Sequence, residues 1–128
     1  MRLVPADEVR QLAELPEEPG RLTPNWLEGP HFADRLDLGV VTVTAGGGAG
    51  PHVHLGGQVI IGLSGRGFVE ADGHRVELGP GDVVSCPPGE LHTHGAADDS
   101  HFSHLTVTTG GYTFPEPDHT PTTGTADG

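Results

Sequence analysis

Lysine is absent from the 128-residue chain, and all six cationic side chains are arginines: Arg2, Arg10, Arg21, Arg35, Arg66 and Arg75. That absence removes Schiff-base aldolases, pyridoxal-phosphate enzymes and P-loop nucleotide hydrolases, because each needs an amine at its centre. Cysteine is nearly absent as well. The single Cys86 forbids an intrachain disulfide and a cysteine metal cluster, and nothing calls for an oxidising compartment. No apolar run approaches the ~18 residues of a membrane helix, and the start, Met1 to Glu8, has no signal-peptide hydrophobic region. A cytoplasmic location is the expectation. Positive charge is scarce: six arginines against 18 acidic residues leave a formal charge of -12. Such a surface repels phosphate backbones and anionic headgroups, so neither nucleic acid nor a membrane is expected as a partner.

Glycine, proline and histidine are abundant. The 21 glycines and 12 prolines fall between short runs of Val, Ile, Leu and Thr, as turns punctuate strands, and so predict an all-β chain rather than disorder. Strand-like runs occupy Leu38 to Thr44, Gln58 to Leu63, Gly67 to Ala71, His74 to Leu78, Asp82 to Ser85, Leu91 to His94 and His101 to Thr109. Turn signals such as Ala71-Asp72-Gly73 and Leu78-Gly79-Pro80-Gly81 separate them. This spacing, without a helical period, predicts a sandwich or small barrel over residues 31–114. Ahead of it, residues 1–30 read as an arm. Pro5 to Leu15 suits one or two helical turns, and the proline-rich stretch 16–30 carries the sole tryptophan, Trp26, expected to plug a core end or a subunit contact. Residues 115–128 read as a disordered tail.

Nine histidines are many for this length, and their distribution carries the chemistry. His52 and His54 form one H-x-H pair, His92 and His94 another, and His104 follows. Side chains at i and i+2 of a strand share a face about 6.5–7 Å apart, so each pair can aim at one point. Converging neutral imidazoles are what a divalent transition metal requires. His31, His74, His101 and His119 fall in turns, arm or tail and read as solvated, and Cys86 reads as a buried inert thiol.

The spacing around these pairs adds a resemblance. Gly46, five residues, His52-Val53-His54, three residues, Gln58, six residues and Gly65 is similar to the first cupin motif, with Gln58 where Glu is usual. Gly81, five residues, Pro87-Pro88-Gly89, two residues and His92 is similar to the second, with Ala96 in place of its final Asn. The chain therefore resembles a single-domain cupin, which implies a jelly-roll β-barrel holding one metal on His52, His54, Gln58 and His92. Gly50 to Gln58, Pro87 to Glu90, His92 to Ala96 and Ser103-His104-Leu105 look like small bacterial cupins that include manganese-dependent hydroxynitrile lyases, and like cupin domains associated with carboxymuconolactone decarboxylase. The likeness places His94 and His104 in the pocket. Thr93, Phe102-Ser103 and Leu55-Gly56 depart from those relatives at positions that shape the pocket, so no substrate is carried over.

Three imidazoles and a neutral amide leave the metal charge uncompensated, which makes the ion a strong Lewis acid and favours an anionic ligand. The N3O donor set suits Mn, Fe, Co or Ni at least as well as Zn, with Mn or Fe favoured. His94, just past His92 on the same face, is expected to lie beyond ligand reach and to act as a general acid or base. A hairpin over Gly95 to Ser100 would bring His104 alongside it as a second proton carrier. The expected function is a metal-dependent lyase, isomerase, cyclase or decarboxylase step on a small oxygenated molecule. The alternatives are a non-haem iron dioxygenase and a non-catalytic small-molecule-binding domain. A homodimer is expected, through outer strands and the arm, where Trp26 and Leu27 stay exposed unless something covers them.

Overall fold

The computed structural model describes residues 2–13, 22–31 and 33–113. One short helix, α1 (Ala6–Leu12), precedes ten strands: β1 (Leu22–Glu28), β2 (Leu36–Val43), β3 (Gly48–His54), β4 (Gln58–Gly65), β5 (Gly67–Ala71), β6 (His74–Leu78), β7 (Val83–Cys86), β8 (Leu91–Ala96), β9 (Phe102–Thr109) and β10 (Tyr112–Thr113). They form two antiparallel sheets of five strands, ordered β1-β2-β9-β4-β7 and β10-β3-β8-β5-β6. Chain-distant strands alternate within each sheet, which is the jelly-roll way of closing a sandwich into a barrel.

Local sequence explains most of these elements. Between β5 and β6 the register pairs Ala71 with His74, leaving a two-residue loop of Asp72 (φ 52°) and Gly73 (φ 74°). Positive φ at both positions is the turn whose twist matches a hairpin, and Asp-Gly is among the pairs that adopt it most readily. The segment read as an arm is partly ordered into the barrel: residues 22–28 form β1 along β2. Pro24 hides this from a propensity reading, yet an edge strand tolerates a proline because its missing N–H faces no partner. Trp26 lies over Gly39 of β2, where an added Cβ would sit 3.2 Å from its ring. Leu27 is buried by the chain itself, so it is not the exposed anchor that the arm was expected to offer. Residues 115–128 lie outside the described residues.

The interior is layered. Val41, Val43, Ile60, Val69, Leu78, Cys86, Ala96 and Phe102 make the apolar part. His52, His54, Gln58, His92, His94, His104 and Thr106, each at most 3 % exposed, make the polar part. His104 joins the two, its ring 5.2 Å from that of Phe102 and 5.6 Å from that of His94 between centroids. Among the described residues, no helix is long and apolar enough to cross a membrane.

Candidate metal centre

The histidines reach the interior through strand parity and one bulge. On β8, His92, His94 and Ala96 alternate inward. Strand β3 pairs Ala49 with His94 and then His52 with His92, so one extra residue is inserted at Gly50-Pro51. A one-residue insertion reverses which face every later side chain takes. Without it, His52 and His54 would point outward. Gln58 is aimed by the preceding turn, in which Gly57 (φ 89°) passes so close to the Cys86 carbonyl that a Cβ would come within 2.9 Å.

The donors converge. Nε2 of His52 and Nε2 of His54 are 3.1 Å apart, and Nε2 of His92 is 2.9 Å from Oε1 of Gln58. Nδ1 of His52 donates to the Gly50 carbonyl at 2.7 Å and Nδ1 of His92 to the Glu90 carbonyl at 3.2 Å. A carbonyl only accepts, so His52 carries its hydrogen on Nδ1 and turns an Nε2 lone pair inward, and His92 does the same in the tautomer that bonds Glu90 rather than Gln58 Oε1. With its hydrogen on Nδ1, His92 sets an Nε2 lone pair 2.9 Å from Gln58 Oε1; two such acceptors repel, and a cation held between them removes the repulsion. The residues present fit a divalent transition metal: imidazole nitrogen and one amide oxygen, pre-aimed by carbonyl partners.

His94 departs from the sequence reading. Its donor atom and those of His52, His54 and His92 all lie within 4.8 Å of one another, so the strand spacing does not keep it outside the cluster. Cβ separation governs that spacing, while the ring tips lean together across the barrel: His52 and His94 centroids are 5.1 Å apart. The expected hairpin at Gly95 to Ser100 is also not there. Strands β8 and β9 belong to different sheets, and the loop between them crosses the sandwich. His104 meets His94 from the opposite wall, opposite Val41 of β2 and Gly62 of β4. Among the described residues neither ring nitrogen of His94 has a hydrogen-bond partner, and His104 is satisfied at most by the neighbouring Leu105 backbone.

Burial holds the rings neutral. It lowers the His54 pKa to about 3, helped by the charges His52 and His92 would carry, and lowers His92 and His104 to about 4 each. Burial also pushes His94 well below the ordinary value, with His104 and His52 adding to the effect. In the unfolded chain these rings take up a proton near 6.5. The folded state therefore binds fewer protons between that value and about 4, so stability is full above 6.5 and is lost as pH falls through this window. Metal-free protein should lose up to about 1.4 kcal/mol per pH unit for each such ring. Thermal melting of chelator-treated protein checks this between pH 7 and 5, above most carboxylate titration; an unchanged melting temperature would contradict neutral rings.

Sequence reasoning missed three neighbours of the cluster and one buried carboxylate elsewhere, on β2. Thr106 accepts from Gln58 Nε2 at 2.7 Å. Tyr112 pairs with His54 across β10 and β3, ring centroids 6.0 Å apart. A Glu90 carboxylate oxygen lies within 4.8 Å of the Cys86 sulfur and a His92 ring nitrogen. Buried Asp37 accepts from the His31 backbone N–H. Cys86 is buried, and burial together with Glu90 raises its pKa to about 11, which keeps it a thiol. Of the histidines read as solvated, His74 is exposed, His31 bonds Glu28, His101 bonds Ser64, and His119 lies outside the described residues.

A small jelly-roll β-barrel enclosing a buried histidine and amide cluster that could hold a metal ion defines the class of this protein. The cupin domain family matches residues 39–108, and the chain belongs to that family. It is 41% identical over 68 residues to (R)-mandelonitrile lyase of Granulicella tundricola, covering 52% of each chain; the chain thus spans about half the length of that relative. Among solved structures, a cupin-like protein of Thermotoga maritima matches with a TM-score of 0.66 at 31% identity, covering 71% of this chain and 70% of that one. The polyketide cyclase RemF of Streptomyces resistomycificus matches with a TM-score of 0.66 at 27% identity, covering 99% of this chain and 89% of that one.

Proposed function

We propose that the protein is a metal-dependent cupin enzyme of lyase type. In this reading His52, His54, Gln58 and His92 hold one divalent ion, Mn or Fe first, and His94 and His104 carry protons for a small oxygenated substrate. The carrying observation is the buried pair His94 and His104 beside the His52, His54, Gln58 and His92 cluster, with neither ring nitrogen of His94 bonded among the described residues. A buried polar atom left unpaired costs about 1–3 kcal/mol, so a polar ligand between these rings offsets a standing cost. Both rings are neutral at pH 7, so each has a lone pair free to take a proton and, once protonated, gives it up readily. When bound, the divalent ion would supply Lewis acidity that makes a substrate hydroxyl easier to deprotonate. His94 then takes the hydroxyl proton as the carbon–carbon bond breaks, and the departing carbanionic group leaves with a proton returned from His94 or His104. The similarity to a mandelonitrile lyase and to a polyketide cyclase supports this choice of class.

The test is benzaldehyde release from (R)-mandelonitrile by protein loaded in turn with Mn, Fe, Co, Ni and Zn. Metal-dependent, chelator-sensitive and oxygen-independent release is the expected result. Oxygen consumption by the iron-loaded protein would replace the lyase reading with a dioxygenase. A tightly bound small ligand with no turnover under any metal, and unaffected by His94→Ala, would make the protein a binding domain. A cytoplasmic location accords with its single, buried thiol.

A homodimer forms part of the same proposal, with the burial of Leu27 shifting its basis from the arm to a sheet. On the outer face of β2, β9, β4 and β7, Leu38 pairs with Val107, Val107 with Val59, Leu105 with Ile61 and Ile61 with Val83. These six aliphatic residues carry no charge in a chain of net charge -12, and Val83 is 59 % exposed. A second copy, presenting the same patch, suits it better than a charged partner. Light scattering at tens of micromolar should give a dimer for the wild type and a monomer for Leu105→Asp. A monomeric wild type refutes this.

A further inference from the structure

We infer that Thr106 is a positioning residue for Gln58, holding its amide in the orientation that leaves the carbonyl oxygen on the metal side. The inference rests on the reading of Gln58 and His92 as metal ligands. Gln58 and Thr106 are both buried, on neighbouring strands in which Thr106 pairs with Ile60, diagonal to Gln58. Nε2 of Gln58 donates to Thr106 Oγ1 at 2.7 Å while Oε1 of the same amide lies 2.9 Å from His92 Nε2.

The amide has two ways to sit, and they differ in what they do to the site. In the tautomer that can bind a metal through Nε2, His92 keeps its ring hydrogen on Nδ1, which faces the Glu90 carbonyl, so Nε2 is a bare acceptor. Turned over, the amide would donate its NH2 to that nitrogen, a good hydrogen bond that satisfies metal-free protein and closes the position to an ion. The observed orientation instead sets two acceptors 2.9 Å apart and sends the NH2 the other way. That NH2 is buried and needs an acceptor, since leaving it unpaired costs about 1–3 kcal/mol. Thr106 Oγ1 is that acceptor. A carboxylate at position 58 would have no N–H to satisfy and would read the same either way round. The demand on Thr106 therefore comes from glutamine standing where the cupin motif usually has glutamate.

The experiment is a double-mutant cycle on Mn(II) affinity, measured by competition with a chelator on the full chain, with thermal melts to confirm folding. Thr106→Val, which keeps the side-chain shape, should weaken Mn(II) binding about 10- to 100-fold, the usual cost of losing a partner behind a ligand. Thr106→Ser should restore most of it. In a Gln58→Glu background, Thr106→Val should cost little. An equal loss in both backgrounds, or no loss with glutamine, overturns the inference. A His92→Ala protein that binds Mn(II) as well as wild type, or a wild type that binds none, instead removes the metal-site reading on which the inference stands.

Discussion

Replacing His92 by Ala should empty the site: purified protein loses most of its metal, and affinity falls by more than the ~10- to 100-fold that removal of an outer partner costs. His92 is the residue on which the cluster turns. Its Nε2 faces Gln58 Oε1, its ring stacks 5.5 Å from that of His54 and meets that of His52 at 4.7 Å between centroids. Removing it opens the cluster on two sides. Because a ligand that binds only the folded state raises the melting temperature, added Mn(II) should stabilise the wild type and leave His92→Ala unmoved. Elemental analysis and melts with and without metal read the two consequences independently. A variant retaining a full equivalent of metal would rule out His92 as a ligand.

The sequence carried the barrel and the cluster unevenly, for physical reasons visible in particular residues. Strands β5 and β6 match their predicted runs residue for residue, because the Asp-Gly turn sets a register in which Val69 pairs with Val76. Strand β1 was hidden by Pro24, whose effect depends on whether the strand is central or at an edge, a tertiary fact. The expected hairpin at Gly95 to Ser100 failed because turn residues mark where the chain bends and say nothing of which sheet receives it. Two H-x-H pairs announced convergence, yet the inward direction of His52 and His54 depends on the bulge at Gly50-Pro51, which sequence shows only as two residues suited to one. Thr106 gave no signal at all. A threonine in a strand is ordinary, and only the fold sets its hydroxyl behind the Gln58 amide.

His94→Ala should cost on the order of a hundredfold or more in turnover while leaving the metal content near that of the wild type. The structure sharpens this expectation, because the His94 donor atom stands within 4.8 Å of those of His52, His54 and His92, close enough for a ligand role. Hydrogen bonding behind the rings sets His94 apart from His52 and His92. His52 and His92 have carbonyls facing Nδ1, which leave Nε2 as the atom for a metal, whereas neither nitrogen of His94 is held among the described residues. A ring not fixed in one tautomer can accept on one nitrogen and release from the other, which is what proton transfer asks and a fixed ligand does not. His104, 5.6 Å away between centroids, should give a milder loss when changed to Ala. Metal content and turnover measured on the same His94→Ala preparation decide the matter. Loss of metal makes His94 a ligand, full turnover makes it scaffolding, and only the slow, metal-replete variant fits a proton carrier.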